Sequence, residues 1–135
     1  MRALIDTNLL LDVLLDRAHL ADDSQAVIDW CEANPGCGFL AWHTLANLHY
    51  IGARAGNAAA VHDFLQALLC YMEVCPCGTA EAHVALALPV RDFEDALQVA
   101  ASQAAAVDYI VTRNVKDFRR SPVPALSPEG FLKRV

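Results

Sequence analysis

The stretch RALIDTNLLLDVLL, residues 2–15, decides how the rest of the chain is interpreted. A short apolar run reaches Asp6, and a new apolar pattern at helical spacing begins directly after it. Asp6 is therefore expected where a strand passes into a helix, which is where ligands collect in open α/β sheets. A simpler alternative is that the Asp6 carboxylate only caps that helix, by accepting hydrogen bonds from its first turn.

The composition indicates one folded domain. The chain has 135 residues, of which 56% are hydrophobic and 19% charged, and these values exclude a disordered chain. No apolar run approaches the roughly 20 residues that a membrane helix needs. The residues before Asp6 lack a basic region and a small-residue cleavage motif. We therefore expect a single domain over residues 1–135, located in the cytoplasm and not in a membrane.

The cysteines predict neither a disulfide framework nor a zinc site. They are odd in number, and no two of them have C-x-x-C spacing. We expect buried, reduced thiols that pack as small hydrophobic groups. The five are Cys31, Cys37, Cys70, Cys75 and Cys77.

The net charge of −6 has the wrong sign for a protein that coats nucleic acid by charge alone. It does not exclude a nuclease, because acids at a metal site add to the negative total. Four basic residues fall within eight positions, namely Arg113, Lys116, Arg119 and Arg120. They form either a solvated basic turn or a surface that faces phosphates.

Short apolar runs alternate with longer segments of helical periodicity. This order predicts a three-layer α/β sandwich, in which helices cover both faces of a central, mostly parallel sheet of four or five strands. The expected strands cover residues 2–5, 38–41, 72–75, 107–111 and 124–126.

Several local features of the helices are predicted as well. Asn57 is expected to cap a helix, and Ser127 to open the last one with Pro128 at its first position. Asp12 and Asp16, one turn apart, are expected to mark the solvent face of the first helix. The helix that begins near Asp92 is expected to bury Phe93, Ala96, Leu97, Ala100 and Ala104.

Acidic and amide side chains are expected to meet at one edge of this sheet. Asp6 ends the first strand, and Thr112 and Asn114 follow the strand at 107–111. Asp117 lies about one helical turn beyond Asn114, and Asp95 lies in the first turn of the preceding helix. Taken singly, Asp95 could merely complement a helix dipole, as could Asp92 and Glu94, and Asp117 could be a solvated acid.

Carboxylates that lie close together repel one another, and a bound cation that prefers oxygen ligands best offsets this repulsion. Mg²⁺ or Mn²⁺ suits such a set, held by one or two carboxylates and several waters. The chemistry that follows is activation of a water against a phosphodiester, with the metal offsetting the charge of the leaving oxygen.

Three segments together resemble the motif blocks of the PIN-domain family: DTN at residues 6–8, DFEDAL at 92–97 and TRNVKDF at 112–118. The likeness runs in order along essentially the whole chain. It implies a metal-dependent ribonuclease fold, often met as the VapC-type toxin of a bacterial toxin–antitoxin pair. By position, Asp6 and Asp95 would bind metal, Asn114 or Asp117 would complete the far wall, and Asn8 and Thr112 would be hydrogen-bonding supports.

The chain departs from the family pattern at two positions. Asn47 stands where the family usually has a glutamate, and Asn114 stands where a T-R-D block has its aspartate. An amide oxygen can bind a metal but adds no charge, so weaker metal affinity is expected. A subset of PIN proteins shares such asparagines.

The leading hypothesis is a Mg²⁺- or Mn²⁺-dependent endoribonuclease in which Asp6, Asp95 and Asp117 hold the metal. Asn47 and Asn114 would complete its surroundings, and Arg113 and Lys116 would orient the substrate phosphates. The alternatives are a non-catalytic module that binds RNA or protein, and a metal-dependent phosphoesterase acting on DNA or a small phosphate ester.

Two further expectations concern partners and histidines. The toxin hypothesis implies an antitoxin and a homodimer, with the apolar segments at residues 45–51 and 61–69 as candidate contacts. His43 and His49 are six residues apart and do not form a metal pair. His43 is expected at a helix cap or on the surface, with the lining of a cleft as the second choice.

Overall fold

Five parallel strands form the central sheet in the computed structural model, which describes residues 1–135. Their order across the sheet is β3-β2-β1-β4-β5, and every neighbouring pair is parallel. The predicted three-layer α/β sandwich is confirmed, with the larger of the two expected strand numbers. The strands are β1 (Ala3–Ile5), β2 (Gly38–Leu40), β3 (Met72–Val74), β4 (Tyr109–Val111) and β5 (Ala125–Leu126).

Seven α-helices cover both faces of the sheet, because alternate residues of the short strands point to opposite sides. In β1, Leu4 packs in one hydrophobic cluster, whereas Ala3 and Ile5 pack in the other. The helices are α1 (Thr7–Leu14), α2 (Ala21–Ala33), α3 (Trp42–Arg54), α4 (Ala58–Leu68), α5 (Thr79–Ala87), α6 (Phe93–Ala104) and α7 (Pro128–Leu132). A 3₁₀ turn, Val115–Phe118, lies between β4 and β5. None of the helices combines the length and hydrophobicity that a membrane crossing requires.

Two predicted helix caps are present. The side chain of Asn57 accepts a hydrogen bond of 3.1 Å from the backbone N–H of Ala60. The Ser127 hydroxyl accepts one of 3.0 Å from the N–H of Gly130, with Pro128 at the first helical position. Both caps satisfy backbone donors that have no partner within the helix.

The predicted core face of α6 is partly wrong. Ala96 and Ala100 are buried, but Phe93 is 51% exposed and Ala104 is exposed as well. Phe93 and Ala104 lie on the same side of α6 as Ala96 and Ala100 at about 100° per residue, but they are its first and last residues, so the burial of this side does not reach the ends of the helix. The fully buried residues of α6 also include the polar Gln98, which the hydrophobic pattern did not indicate.

The expectation that the cysteines are buried is also only partly right. No disulfide is present, and Cys31 and Cys75 are buried, where burial raises the pKa of each thiol to about 12. Cys37 is half-buried, whereas Cys70 and Cys77 are exposed. The two exposed thiols lie just outside regular elements, after α4 and after β3, where the chain does not face the core.

Candidate active site

Asp6 lies at the carboxyl end of β1, the middle strand of the sheet. Its backbone N–H donates to the carbonyl of Val111 in β4 at 3.0 Å, and its side chain is buried with 2% exposure. The connections from β1 and β4 run towards opposite edges of the sheet, so a crevice opens between these two strand ends. Asp6 is therefore at the point where this type of fold places its ligands.

The Asp6 carboxylate is held from across the sheet. The Thr112 hydroxyl donates to Oδ2 at 2.7 Å, and the Gln98 side-chain amide donates to Oδ1 at 2.9 Å. Asp6 occupies the N-cap position of α1, but its side chain makes no capping hydrogen bond. Gln98 and Thr112 therefore hold this carboxylate more firmly than the first turn of α1 does, although the backbone N–H of Asn8 in that turn also acts to lower its pKa. Burial raises its pKa, although the hydrogen bonds from Gln98 and Thr112 act in the opposite direction.

Gln98 joins Asp6 to a second acid, Glu94. The same Nε2 atom that contacts Asp6 lies 3.1 Å from both carboxylate oxygens of Glu94. On its other side, Glu94 Oε1 is 3.0 Å from Nε2 of His43 in α3. Burial opposes the ionisation of Glu94, but the contacts with His43 and Gln98 outweigh it and lower its pKa.

Three acids crowd the start of α6. Asp92 caps the helix by accepting the N–H of Asp95 at 3.1 Å. Asp92, Glu94 and Asp95 also each present an oxygen within 4.8 Å of the others. Burial, followed by the charges of Glu94, Asp92 and Asp6, raises the pKa of Asp95 to about 7. The negative charge of this cluster is not compensated by a nearby lysine or arginine ion pair.

These donors fit a divalent metal ion. Glu94 and Asp95 belong to the acidic cluster at the start of α6, and Gln98 links Asp6 to Glu94. Carboxylate oxygens are the ligands that Mg²⁺ and Mn²⁺ prefer. Burial raises the pKa of both aspartates, and for Asp95 the neighbouring acids add to this effect. A divalent cation bound by these carboxylates would favour their ionised forms.

The segment that follows β4 lies beside Asp6, which its residue Thr112 contacts. Thr112 is fully buried, and its hydroxyl also accepts the backbone N–H of Asn114 at 3.0 Å. Asn114 precedes the 3₁₀ turn, and Asp117 lies within that turn with its side chain exposed. Asp117 shares an open groove with Asp95, so the structure brings it to the rim of the acid cluster.

Helix α3 also lies beside the acid cluster, because its residue His43 contacts Glu94. Asn47 is half-buried and lies one turn after His43, on the same side of the helix. The Thr44 hydroxyl lies 2.9 Å from the hydroxyl of Thr7, which ties the start of α3 to the start of α1. Asn8 is half-buried in the first turn of α1, next to Asp6 in the chain.

Two residues occupy surroundings that the sequence pattern did not indicate. Asp12 was expected on the solvent face of α1, but its side chain has no exposed surface, whereas Asp16 is exposed just beyond the end of the helix. Arg113, expected at a substrate phosphate, has its Nε 2.7 Å from Oδ2 of Asp12. Lys116, its predicted companion, remains exposed.

Sequence reasoning missed Glu94 as more than a first-turn acid, missed Gln98, and gave His43 a surface role as the first choice. One signal was available. Glu94 and Gln98 are separated by four residues, a spacing at which helical side chains meet. Nothing local indicated that Gln98 faces Asp6, which is 92 residues away in the chain.

Comparisons with known proteins agree with this architecture. A family model described as "PIN domain" matches residues 2–116. Among solved structures, VapBC2 from Rickettsia felis, bound to a DNA fragment from its promoter, gives a TM-score of 0.73 at 17% identity, over 94% of this chain and 98% of the other. A toxin–antitoxin complex from Klebsiella pneumoniae gives 0.71 at 24% identity, over 93% and 97%. FitAcB from Neisseria gonorrhoeae gives 0.67 at 17% identity, over 94% and 98%.

At these identities the structural matches establish the fold. A comparison with curated protein sequences finds no match. The family model covers most of the chain, including Asp6, the start of α6 and the residues after β4 as far as Lys116. The chain belongs to the PIN-domain family.

Proposed function

We propose that the protein is a Mg²⁺- or Mn²⁺-dependent endoribonuclease and the toxin component of a toxin–antitoxin pair. The observation that carries the proposal is the buried Asp6 carboxylate, which one glutamine amide joins to the acids of α6 at the open end of the sheet. Family membership supports nuclease chemistry. The similar structures from Rickettsia felis and Klebsiella pneumoniae are toxin–antitoxin systems, which supports the biological role.

The metal would be held by Asp6 and Asp95, with Glu94 added to the set that the sequence predicted. Asp117 lies at the rim of the groove, from which it would complete the surroundings together with the amides of Asn47 and Asn114. When bound, the ion supplies Lewis acidity towards a water and the phosphodiester, and it offsets the charge of the leaving oxygen.

Three further residues, Thr112, Gln98 and His43, contact these carboxylates and fix their positions. Thr112 and Gln98 each donate to one oxygen of Asp6, so they fix its orientation and favour its ionised form. His43 fixes Glu94 from the side opposite Gln98. Because these donors come from α3, α6 and the end of β4, the geometry of the acids depends on the folded sheet and not on one loop.

An antitoxin and a second copy of the chain are the partners that the proposal implies. The apolar segment at residues 45–51 lies within α3, and the segment at residues 61–69 lies in α4 except for its last residue. Leu48, Val61 and Leu68 are buried there, so much of this apolar pattern serves the core. The exposed large apolar side chains here are Trp42 at 68%, Tyr50 at 62% and Ile51 at 36% in α3, and Leu69 at 49% directly after α4.

A non-catalytic binding module is the second candidate, and one observation favours it. Asn47 and Asn114 supply neutral amides where acids are usual in the family pattern. Cleavage of RNA on addition of metal would favour the ribonuclease, and its absence would favour the binding module. A phosphoesterase acting on DNA or small esters is separated from a ribonuclease by assaying RNA, DNA and a small phosphate ester side by side.

The test is a Mn²⁺ titration of RNA cleavage by wild type and by Asp6→Asn. We expect metal-dependent cleavage by wild type and a loss of at least a hundredfold in the variant, because the metal loses its central ligand. Asp16→Asn is the matched control, since Asp16 is an exposed acid beyond the end of α1. Equal cleavage by wild type and Asp6→Asn would refute the assignment of the site.

A further inference from the structure

The cationic side chains of the protein fall into two groups. Of the ten lysines and arginines, six have an acidic or aromatic partner. Arg17 and Arg113 pair with Asp12, and Lys133 pairs with Glu129. The other three lie over aromatic rings: Arg2 over Phe39, Arg54 over Tyr50 and Arg134 over Tyr109.

The four cations without such partners all line one groove. They are Arg91, Lys116, Arg119 and Arg120, and each is exposed. The groove has a volume of about 990 Å³ and runs between the α5–α6 connection and the 3₁₀ turn after β4. Asp92, Asp95 and Asp117 share its lining, so it opens directly onto the acid cluster.

The four cations are not all neighbours in the sequence. Lys116, Arg119 and Arg120 follow one another in the chain, but Arg91 belongs to a different connection that only the fold brings alongside them. The chain as a whole carries a net charge of −6. A protein with an excess of acids thus keeps its unpaired positive charge beside its most crowded carboxylates.

We propose that this groove binds the phosphodiester backbone of a single nucleic-acid strand, with Arg91, Lys116, Arg119 and Arg120 contacting successive phosphates. Guanidinium and ammonium groups are the usual partners of phosphate, and those groups here carry no competing ion pair. One end of the strand then lies at Asp95. That this strand is RNA, and that it is cut there, rests on the proposed function.

The proposal removes Arg113 from the phosphate-facing surface that the sequence suggested, retains Lys116, Arg119 and Arg120, and adds Arg91. Arg113 is held by the buried Asp12, whereas Arg91, Arg119 and Arg120 join Lys116 in the groove. Arg119 donates from Nε to the carbonyl of Lys116 at 3.1 Å, which orients its side chain and leaves the terminal nitrogens available. All four cations therefore line the groove that Asp95 shares.

The salt dependence of binding tests the groove without reference to cleavage. Asp6→Asn protein in Mg²⁺ is titrated with a fluorescently labelled single-stranded oligoribonucleotide at a series of KCl concentrations. Each phosphate contact to a single strand contributes roughly 0.7 to the slope of log K against log[salt]. This slope is negative, and each lost contact should make it less negative by roughly 0.7. We expect that change in each of four single variants: Arg91→Gln, Lys116→Gln, Arg119→Gln and Arg120→Gln.

Arg54→Gln and Arg134→Gln are the matched controls, since they remove the same charge from exposed arginines outside the groove. These controls should keep the wild-type slope. Slopes in the groove variants equal to those of the controls would overturn the proposal. A preference for duplex over single strands would overturn it too. Equal slopes with single-stranded DNA would support recognition through phosphates alone.

The binding experiment on the groove and the cleavage experiment on the proposed function can fail independently of each other. Reduced slopes in a protein that never cleaves RNA would support the groove and argue against the nuclease. Unchanged slopes in a protein whose wild type cleaves with Mn²⁺ would overturn the groove and leave the nuclease standing. The four substituted residues are exposed, so circular dichroism should confirm that the variants fold.

Discussion

The Nε atom of Arg113 lies 2.7 Å from Oδ2 of Asp12, an aspartate whose side chain has no exposed surface. Nη2 of Arg113 donates a hydrogen bond to the other oxygen of Asp12 at 3.0 Å, so both oxygens of this carboxylate contact the guanidinium group. Ser24 adds a hydrogen bond of 3.0 Å, and Arg17 lies 3.4 Å away. Arg113 directly follows Thr112, which holds Asp6, so this ion pair fastens the end of β4 to α1 beside the acid cluster.

Replacing Arg113 by alanine should destabilise the protein by about 3 kcal/mol, because breaking a buried ion pair leaves a charge without its main partner. Urea unfolding followed by circular dichroism measures this change. Lys133→Ala is the control, since it removes an exposed ion pair with Glu129 and should leave the urea midpoint unchanged. Equal midpoints for Arg113→Ala and wild type would show that Asp12 does not depend on Arg113.

Removing one donor from Asp6 should shift the pH dependence of cleavage. Burial already raises the pKa of Asp6, and the hydroxyl of Thr112 acts against that rise. A hydrogen bond to a charged group contributes about 1.5–3 kcal/mol, which corresponds to roughly 1–2 pH units. We therefore expect the acidic limb of the pH–rate profile to move upwards by about that amount in Thr112→Val.

The conservative variant Thr112→Ser separates this effect from a loss of packing. It retains the hydroxyl and should restore the acidic limb to near its wild-type position. A uniform fall in rate at every pH for Thr112→Val, without a shift, would instead assign Thr112 a purely structural role.

The sequence was sufficient for features that depend on neighbouring residues. Helix caps, strand ends and the placement of Asp6 follow from short patterns, and they predicted the sheet and the edge at which Asp6 lies. The buried polar contacts did not follow, because their partners are remote. Asp12 is separated from Arg113 by 101 residues, and Gln98 from Asp6 by 92, so a pattern that counts only hydrophobic periodicity places Asp12 in solvent and overlooks Gln98.

Without metal, the stability of the protein should fall as the pH rises from about 5 to about 8. The pKa of Asp95 is raised from 3.8 to about 7, so the folded state binds its proton more tightly than the unfolded state does. That contribution is fully present below the ordinary pKa of aspartate and is lost as the pH rises through about 7. The lowered pKa of Glu94 acts in the opposite sense, but only as the pH falls below its ordinary value of 4.5.

Asp95→Asn tests this dependence, because asparagine cannot lose a proton. The melting temperature of the metal-free variant should exceed that of wild type at pH 8 and should vary less between pH 5 and pH 8. Mn²⁺ should raise the melting temperature of wild type more than that of the variant. Asp16→Asn should follow wild type throughout. A wild-type melting temperature that rises across this range would contradict the assignment.

Asn47→Glu should strengthen the response to metal if Asn47 faces the site from α3. The side chain is half-buried one turn after His43, which contacts Glu94, so a carboxylate there would add negative charge to the metal's surroundings. We expect half-maximal cleavage at a Mn²⁺ concentration lower by roughly tenfold, equivalent to about 1.4 kcal/mol. Gln66→Glu, which adds the same charge on the exposed side of α4, should not change it. If Asn47→Glu produces no cleavage at any Mn²⁺ concentration in a protein that also lacks wild-type activity, the acids of this site serve binding and not catalysis.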